Sequence, residues 1–213
     1  GTTVSSMGVS ISDQASGGVT AGYFNNVTIQ NNTFTKSHYG ALVSGGTTGA
    51  NNALNVNILN NNLTSSGVDA IGYCGIALQG VNGATIANNT IGNFEGTAGV
   101  DDRGIWLAAG SKNVVVEKNS IISLKYIGTG GYGTYGIYVT TGETNSGNIL
   151  RNNVIADLSG DGWTHLTVLG DNTHGIYATS TQTGIKIYNN SINLSGNTLN
   201  QTDALTTGIC LGT

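Results

Sequence analysis

A short pattern of apolar and polar positions recurs along the chain. Each copy opens with an apolar residue, has an Asn three places on, and closes with an apolar residue two places later. The six copies are IQNNTF from Ile29, ILNNNL from Ile58, IANNTI from Ile86, VEKNSI from Val116, ILRNNV from Ile149 and IYNNSI from Ile187. Successive Asn positions are 28 to 38 residues apart, and similarity at such a period is typical of a solenoid.

A second pattern, Gly-apolar-variable-apolar, precedes the Asn copies. It begins at Gly8, Gly40, Gly75, Gly104, Gly136, Gly175 and Gly208. The strands around both patterns alternate over only a few residues, too few for stable isolated hairpins. We therefore predict that each strand stacks on its equivalent in the next coil. The expected fold is all-β: one domain over residues 1–213, a right-handed parallel β-helix of about six to seven coils with three sheets.

The alternation predicts three columns of core residues, one for each sheet. The first sheet is expected to bury Ile11, Val43, Leu78, Leu107, Val139, Ala178 and Leu211. The second column is Ile29, Ile58, Ile86, Val116, Ile149 and Ile187. The third is Phe34, Leu63, Ile91, Ile121, Val154 and Ile192.

The recurring Asn column predicts a structural ladder. Its members are Asn32, Asn61, Asn89, Asn119, Asn152 and Asn190. A tight bend between two sheets needs a residue that tolerates positive φ, which Asn does well. Stacked Asn amides also hydrogen-bond to the coils above and below. We therefore assign these residues a structural role.

Composition and charge restrict the functional classes. The net charge is −4 with only 8% charged residues, so no basic surface is expected for nucleic acid. No apolar run approaches the roughly 18 residues that cross a bilayer. Cys74 and Cys210 lie four coils apart in this register, about 19 Å, which predicts two free thiols. Low charge with abundant Gly, Asn and Thr favours a secreted or cell-surface protein.

The NNxI turn, the GIxL strand and the Asn column resemble those of the right-handed parallel β-helix proteins. These are the pectate-lyase-like superfamily and its parallel β-helix repeat relatives, and the resemblance covers essentially all 213 residues. It implies the fold and leaves the function open. The superfamily includes polysaccharide lyases, polygalacturonases, phage tailspikes, adhesins and non-catalytic surface repeats.

The variable position of GIxL points outward, and its column contains three consecutive aromatic residues. The column reads Ser10, Leu42, Ala77, Trp106, Tyr138, Tyr177 and Cys210. Rings on adjacent coils lie about 5 Å apart and suit the apolar faces of sugars. Tyr135 and Trp163 are further candidates for carbohydrate binding. The alternative is that loops fold over the row and bury it.

Charged residues near this row are candidates for catalysis. They are Asp101, Asp102, Arg103, Asp171 and His174. In enzymes of the superfamily that the chain resembles, catalysis typically lies on an outer sheet face with Asp, Arg or Lys on neighbouring coils. Hydrolysis with inversion needs two separated carboxylates. Asp101 or Asp102 with Asp171 fits that need loosely, because the residues lie two coils apart. The sequence shows no acidic Ca²⁺ site, and we expect no metal or cofactor.

Three functions remain open. The first is a non-catalytic secreted or cell-surface β-helix with a structural or adhesive role, which binds a polysaccharide or cell-surface glycan through the aromatic row. The second is a polysaccharide lyase or glycoside hydrolase acting on an acidic polysaccharide. The third is a fibre subunit. The chain begins seven residues before Gly8 and stops two residues after Leu211, which predicts either a longer parent chain or end-to-end stacking of copies.

Overall fold

The computed structural model describes residues 6–12, 22–179, 181–194 and 200–212. These residues form three parallel sheets that wrap around one core, with strands numbered β1 to β18 in chain order. The first sheet contains β1 (Met7–Ile11), β3 (Tyr39–Ser44), β6 (Cys74–Gln79), β9 (Asp102–Leu107), β12 (Thr134–Val139), β15 (Thr173–Thr179) and β18 (Thr206–Gly212). The prediction of an all-β solenoid is confirmed.

The other two sheets contain fewer described strands than the first. The second contains β2 (Thr28–Gln30), β4 (Ala53–Leu59), β7 (Val81–Ala87), β10 (Lys112–Glu117), β13 (Ile149–Arg151) and β16 (Lys186–Tyr188). The third contains β5 (Asn62–Leu63), β8 (Thr90–Gly96), β11 (Ser120–Tyr126), β14 (Val154–Ser159) and β17 (Ser191–Asn193). Two short 3₁₀ turns, Gly49–Asn51 and Gly67–Asp69, lie in loops. Within the described ranges, each inner strand pairs with its equivalents in the preceding and following coils, and the strand at each end of a sheet pairs with one of them, as expected of a solenoid.

The repeated Gly of the first sheet has a steric reason. A Cβ atom built on Gly104 would lie 2.6 Å from the Gly136 carbonyl oxygen and 2.7 Å from Cγ2 of Ile121. Gly75 and Gly136 meet the same obstacles on their own coils. Any side chain at this position would therefore push the first sheet away from the third, and only Gly lets the core close.

The Asn ladder runs along the turn between the second and third sheets. The amide oxygen of Asn119 accepts hydrogen bonds from the backbone N–H of Asn89 (3.0 Å) and from its side-chain amide (2.9 Å). The Asn119 amide nitrogen donates to the Ile86 carbonyl (2.9 Å). The same bonds recur at every step between Asn32 and Asn190. The ladder predicted from the repeat is present.

One predicted member of the ladder is wrong. Asn153, not Asn152, accepts the bond from the Asn119 backbone N–H (3.1 Å). The copy ILRNNV is therefore shifted by one residue, and the core contains Leu150 in place of Ile149 and Ile155 in place of Val154. The error arose because apolar pairs flank this copy on both sides, so two frames satisfied the pattern, and a one-residue shift exchanges the two faces of a strand.

The positive φ angle also lies one residue before its predicted place. It occurs at the position that precedes each ladder Asn, for example at Asn31 (57°), Asn88 (57°) and Lys118 (55°). The ladder residues Asn32, Asn89 and Asn119 are not among the residues with positive φ. The sequence analysis assigned both the bend and the amide ladder to one column of residues. In the structure these roles belong to neighbouring residues, since one forms the bend and the next supplies the amide.

Candidate functional site

The outer face of the first sheet presents two columns of side chains in register. One is the predicted aromatic column, in which Ala77, Trp106, Tyr138 and Tyr177 pair in sequence across four coils. The other column contains Tyr39, Cys74, Arg103, Tyr135, His174 and Thr207. The candidates from the sequence that lie on this sheet therefore share one face, except Asp102, whose carboxylate lies near Gly96 of the third sheet.

The aromatic row predicted from the repeat is present, and its rings are stacked. The ring centroids of Trp106 and Tyr138 lie 6.2 Å apart with 22° between their planes, and those of Tyr138 and Tyr177 lie 5.4 Å apart with 17°. The indole N–H of Trp106 donates to Oγ1 of Thr140 (2.9 Å). This hydrogen bond holds the Trp106 ring in one orientation.

Residues 160–172 form a loop that covers one end of the row. Leu169 and Tyr138 both pack against a buried cluster of Tyr135, Tyr177 and Cys210. Tyr177 is 5% exposed and Tyr135 only 1%, whereas Trp106 and Tyr138 are half-buried. The sequence left open whether the row is exposed or buried under loops. Each alternative holds for part of the row, because the loop buries Tyr177 and leaves Trp106 and Tyr138 accessible.

Tyr135 and Tyr177 do not present the exposed faces expected of them, and Trp163 lies apart from the row. Tyr135 and Tyr177 are buried under the loop. Trp163 is exposed, but its ring lies against Gly131 and its backbone N–H donates to the Asn172 side chain. Among the described residues, no ring contact joins Trp163 to the row. The accessible part of the predicted platform is therefore Trp106 with Tyr138.

A groove of about 190 Å³ opens beside Trp106. It lies where the column changes from the Trp106 ring to the methyl group of Ala77 on the preceding coil. Its lining is Tyr39, Leu42, Ser44, Ala77, Leu78, Gln79, Trp106 and Ala108. Sequence reasoning missed this groove, although the small residues before Trp106 in the outward column were a signal for it.

Arg103 lies at the centre of the aromatic face. Its guanidinium carbon is 4.8 Å from the ring centre of Tyr73, 4.7 Å from that of Trp106 and 5.2 Å from that of Tyr138. Its side chain is 12% exposed, and its Nη2 atom lies 4.0 Å from Oδ2 of Asp101. Burial lowers the pKa of Arg103, while nearby tyrosines oppose the shift. Arg103 therefore acts first as a cation that packs the rings together.

Asp101 links three coils. Its carboxylate accepts hydrogen bonds from the Gly133 N–H (2.8 Å) and the Tyr135 hydroxyl (2.9 Å). The Tyr135 hydroxyl in turn accepts from the Asp171 backbone N–H (3.0 Å). Burial, reinforced by the charge of Asp171, raises the pKa of Asp101 to about 7, against the effect of its two hydrogen-bond donors. Two of the predicted catalytic carboxylates thus interact across the Tyr135 coil.

Asp102 and His174 are both buried, and burial shifts the pKa of each. Burial, and then the charge of Asp101, raises the pKa of Asp102 well above its ordinary value. Burial lowers the pKa of His174 to about 4. Nε2 of His174 donates to the Leu169 carbonyl (3.0 Å), so Nδ1 accepts from Oγ1 of Thr207 (2.7 Å). His174 therefore anchors the covering loop as a neutral ring.

Other candidate chemistry is sparse in the described part of the chain. Cys74 and Cys210 are buried free thiols, as predicted. No group of three or more His, Cys, Asp or Glu side chains among the described residues is placed to hold a metal ion. The helices described there are all too short to cross a membrane.

Comparison with known proteins gave one match. The sequence profile of the family described as "Right handed beta helix region" matches residues 2–202. No curated protein and no solved structure matched the chain.

Proposed function

Since the chain belongs to the right-handed β-helix family, we propose that it is a non-catalytic β-helix with a structural or adhesive role, secreted or on a cell surface, that binds carbohydrate through Trp106 and Tyr138. The observation that carries the proposal is the half-buried, stacked pair of rings beside an open groove. Flat aromatic surfaces of this kind suit the apolar faces of sugar rings. The low charge and the abundance of Gly, Asn and Thr support the extracellular location.

The rings are held in place before a ligand arrives. Arg103 lies against both Trp106 and Tyr138, and Thr140 accepts the indole N–H. A ligand therefore need not order these side chains, which lowers the entropic cost of binding. Among the described residues, the groove lining contains no carboxylate and no imidazole, so it offers a binding surface and no acid–base pair.

Substitution of Trp106 by Ala tests this proposal. We expect Trp106→Ala to lower the affinity for the bound glycan at least about tenfold, because a sugar stacked on the indole loses its largest apolar contact. A glycan array identifies the ligand, and titration calorimetry gives the affinity. Circular dichroism of the variant should show an intact β-helix.

Trp163→Ala is the matched control. Trp163 is also an exposed tryptophan, but it lies on the loop beside Gly131. The control should keep the affinity of the parent protein. If the parent protein binds no glycan, or if Trp163→Ala weakens binding as much as Trp106→Ala, the platform is not the binding site.

The Asp101–Tyr135–Asp171 contact favours a second candidate function, a polysaccharide lyase or glycoside hydrolase. A carboxyl group with a pKa of about 7 suits a general acid, and a neighbouring carboxylate suits its partner. This interpretation requires access to Asp101, whose side chain is 9% exposed. Catalysis at this pair would therefore need the covering loop to move.

An activity assay separates the two functions. Pectins and alginates are incubated with the protein, and reducing ends and unsaturated products are measured. The binding proposal expects no product above that of heat-denatured protein. Product formation that disappears in both Asp101→Asn and Asp171→Asn would establish the enzyme instead.

A further inference from the structure

The shape of the groove beside Trp106 restricts the sugar that fits it. The outward column Leu42–Ala77–Trp106 lines it, the paired residues Ser44 and Gln79 lie beside this column, and Tyr39 and Ala108 also contribute to the lining. Its volume of about 190 Å³ is smaller than the roughly 300–1,000 Å³ typical of sites for larger ligands. The groove therefore accommodates one sugar unit at most.

The floor of the groove is apolar and narrow. Leu42 is 7% exposed and Ala77 only 1%. A sugar ring that lies on Trp106 can reach these side chains only with a small substituent. A hydroxyl group in that place would lose water without finding a hydrogen-bond partner among the aliphatic groups, which is unfavourable.

The polar end of the groove consists of one amide and one hydroxyl side chain. Ser44 and Gln79 are paired in register on adjacent coils, two residues beyond Leu42 and Ala77. The amide of Gln79 supplies both a donor and an acceptor. A ligand that carries an amide next to a methyl group fits this arrangement, with the methyl group on the apolar floor and the amide at the polar end.

The described lining of the groove carries no formal charge at neutral pH. Its titratable member is Tyr39, and burial raises the pKa of Tyr39 to about 12, so the phenol stays protonated. The nearby cation Arg103 packs on the Trp106 ring and is not part of the lining, so a carboxylate in the groove would be desolvated without a cationic side chain lining it. The lining therefore suits a neutral ligand.

We propose that this groove selects sugars that carry an N-acetyl group, such as the 2-acetamido-2-deoxyglucose units of a polysaccharide. The acetamido methyl lies on Leu42 and Ala77, and its amide faces Gln79. The ring stacks on Trp106. This inference rests on the proposed carbohydrate-binding function and names the class of sugar that the same site takes.

Two trisaccharides with the same β-1,4 linkage test the inference. One is built from N-acetylglucosamine and the other from glucose, so they differ only in the substituent at C2. One methyl-sized group in an apolar pocket changes affinity by roughly 10- to 200-fold. We expect the acetylated trisaccharide to bind the parent protein at least about tenfold more tightly, measured by calorimetry.

Two variants assign the preference to the groove. Ala77→Val fills the floor, and Gln79→Met removes the amide at nearly constant size. Each should reduce the preference for the acetylated trisaccharide, measured as the ratio of its affinity to that of the glucose trisaccharide. Ala156→Val is the matched control, because Ala156 lies on the third sheet at a half-buried position, and it should change neither affinity.

The outcomes separate the inference from the function on which it rests. Equal affinity for the two trisaccharides, or a preference that survives both variants, overturns the N-acetyl assignment and leaves carbohydrate binding standing. If neither trisaccharide nor any other glycan binds, the proposed function fails and the inference fails with it. Gln79→Met remains informative if Ala77→Val does not fold.

Discussion

At the scale of single residues, hydrogen bonds between side chains and backbone set the geometry of each turn. The side chain of a ladder Asn satisfies the backbone of the preceding coil, at the N–H of the ladder Asn there and at a carbonyl of the second sheet. The residue before it takes the positive φ, which costs about 1–2 kcal/mol for most side chains. Lys118 occupies that position at φ 55°, which shows that the turn tolerates other residues there. The ladder amide has no such freedom.

Loss of one ladder amide should destabilise the fold measurably. Asn119→Leu removes a donor to the Ile86 carbonyl and an acceptor for Asn89. Leaving buried partners unpaired costs on the order of 1–3 kcal/mol, which denaturant unfolding would detect. Lys118→Leu, a neighbouring substitution outside the ladder, serves as the control. A loss for Asn119→Leu within the roughly 0.5 kcal/mol scatter of surface changes would argue against the ladder.

Asp101 should make the protein less stable as the pH rises toward 7. Its pKa in the folded state is about 7, above its ordinary value of 3.8. Between these two values the folded state holds the proton that the unfolded state has released, so stability falls as the pH rises and levels off above the folded pKa. His174, whose pKa is lowered from 6.5 to about 4, acts in the opposite direction over most of the same range. A comparison of variants is therefore needed to isolate the Asp101 effect.

Thermal unfolding at a series of pH values from about 5 to 8 measures this effect. The midpoint of the parent protein should fall relative to that of Asp101→Asn as the pH rises to 7, and the difference should then stay constant. Asp69→Asn is a control, because Asp69 is exposed beside Lys36. Parallel profiles for the parent and Asp101→Asn would assign the pH dependence to another group, for which Asp102 is the next candidate since burial raises its pKa too.

At the scale of elements, the repeat determines most strands, and flanking residues determine their register. The copies at Ile58 and Ile86 offered one frame and were predicted correctly. The copy at Ile149 offered two frames, and the sequence alone did not distinguish them. The structure does, since Asn153 continues the ladder and Ile155 is fully buried, whereas Val154 is 45% exposed.

Alanine substitutions test this register directly. Ile155→Ala should cost roughly 2–5 kcal/mol, because it leaves a cavity in the core. Val154→Ala should stay within about 0.5 kcal/mol, as exposed positions do. The pair removes apolar groups from adjacent residues of β14, so each variant controls for the other. The reverse order of the two losses in denaturant unfolding would restore the frame first expected from the sequence.

The candidate site was less predictable than the strands. The stacking of Trp106 on Tyr138 followed from the period of the coils. The burial of Tyr177 and Tyr135 depended on residues 160–172, a segment without a repeat, so its path over the sheet left no periodic signal. The central position of Arg103 was unpredictable for the same reason, because its contact with Tyr73 depends on the loop that precedes β6.

At the scale of the whole molecule, each coil is supported only by its neighbours, so an edge coil lacks support on one side. β18 is an edge strand of the first sheet. Ile209 and Leu211, which are aligned with core residues of β15, are 51% and 69% exposed. In the described part of the chain no strand pairs with the outer side of β18, and its apolar side chains are open to solvent, which favours pairing with another strand. Further chain and a second copy are both suited to cover it.

A preparation of these 213 residues is therefore expected to self-associate through this edge. Sedimentation velocity should show a mass that rises with protein concentration. The double substitution Ile209→Lys with Leu211→Lys should restore a monomer, because charges at an edge oppose pairing between copies. Ile122→Lys, at an exposed apolar position on the third sheet, should leave association unchanged. A parent protein that stays monomeric at high concentration would rule out end-to-end stacking of copies.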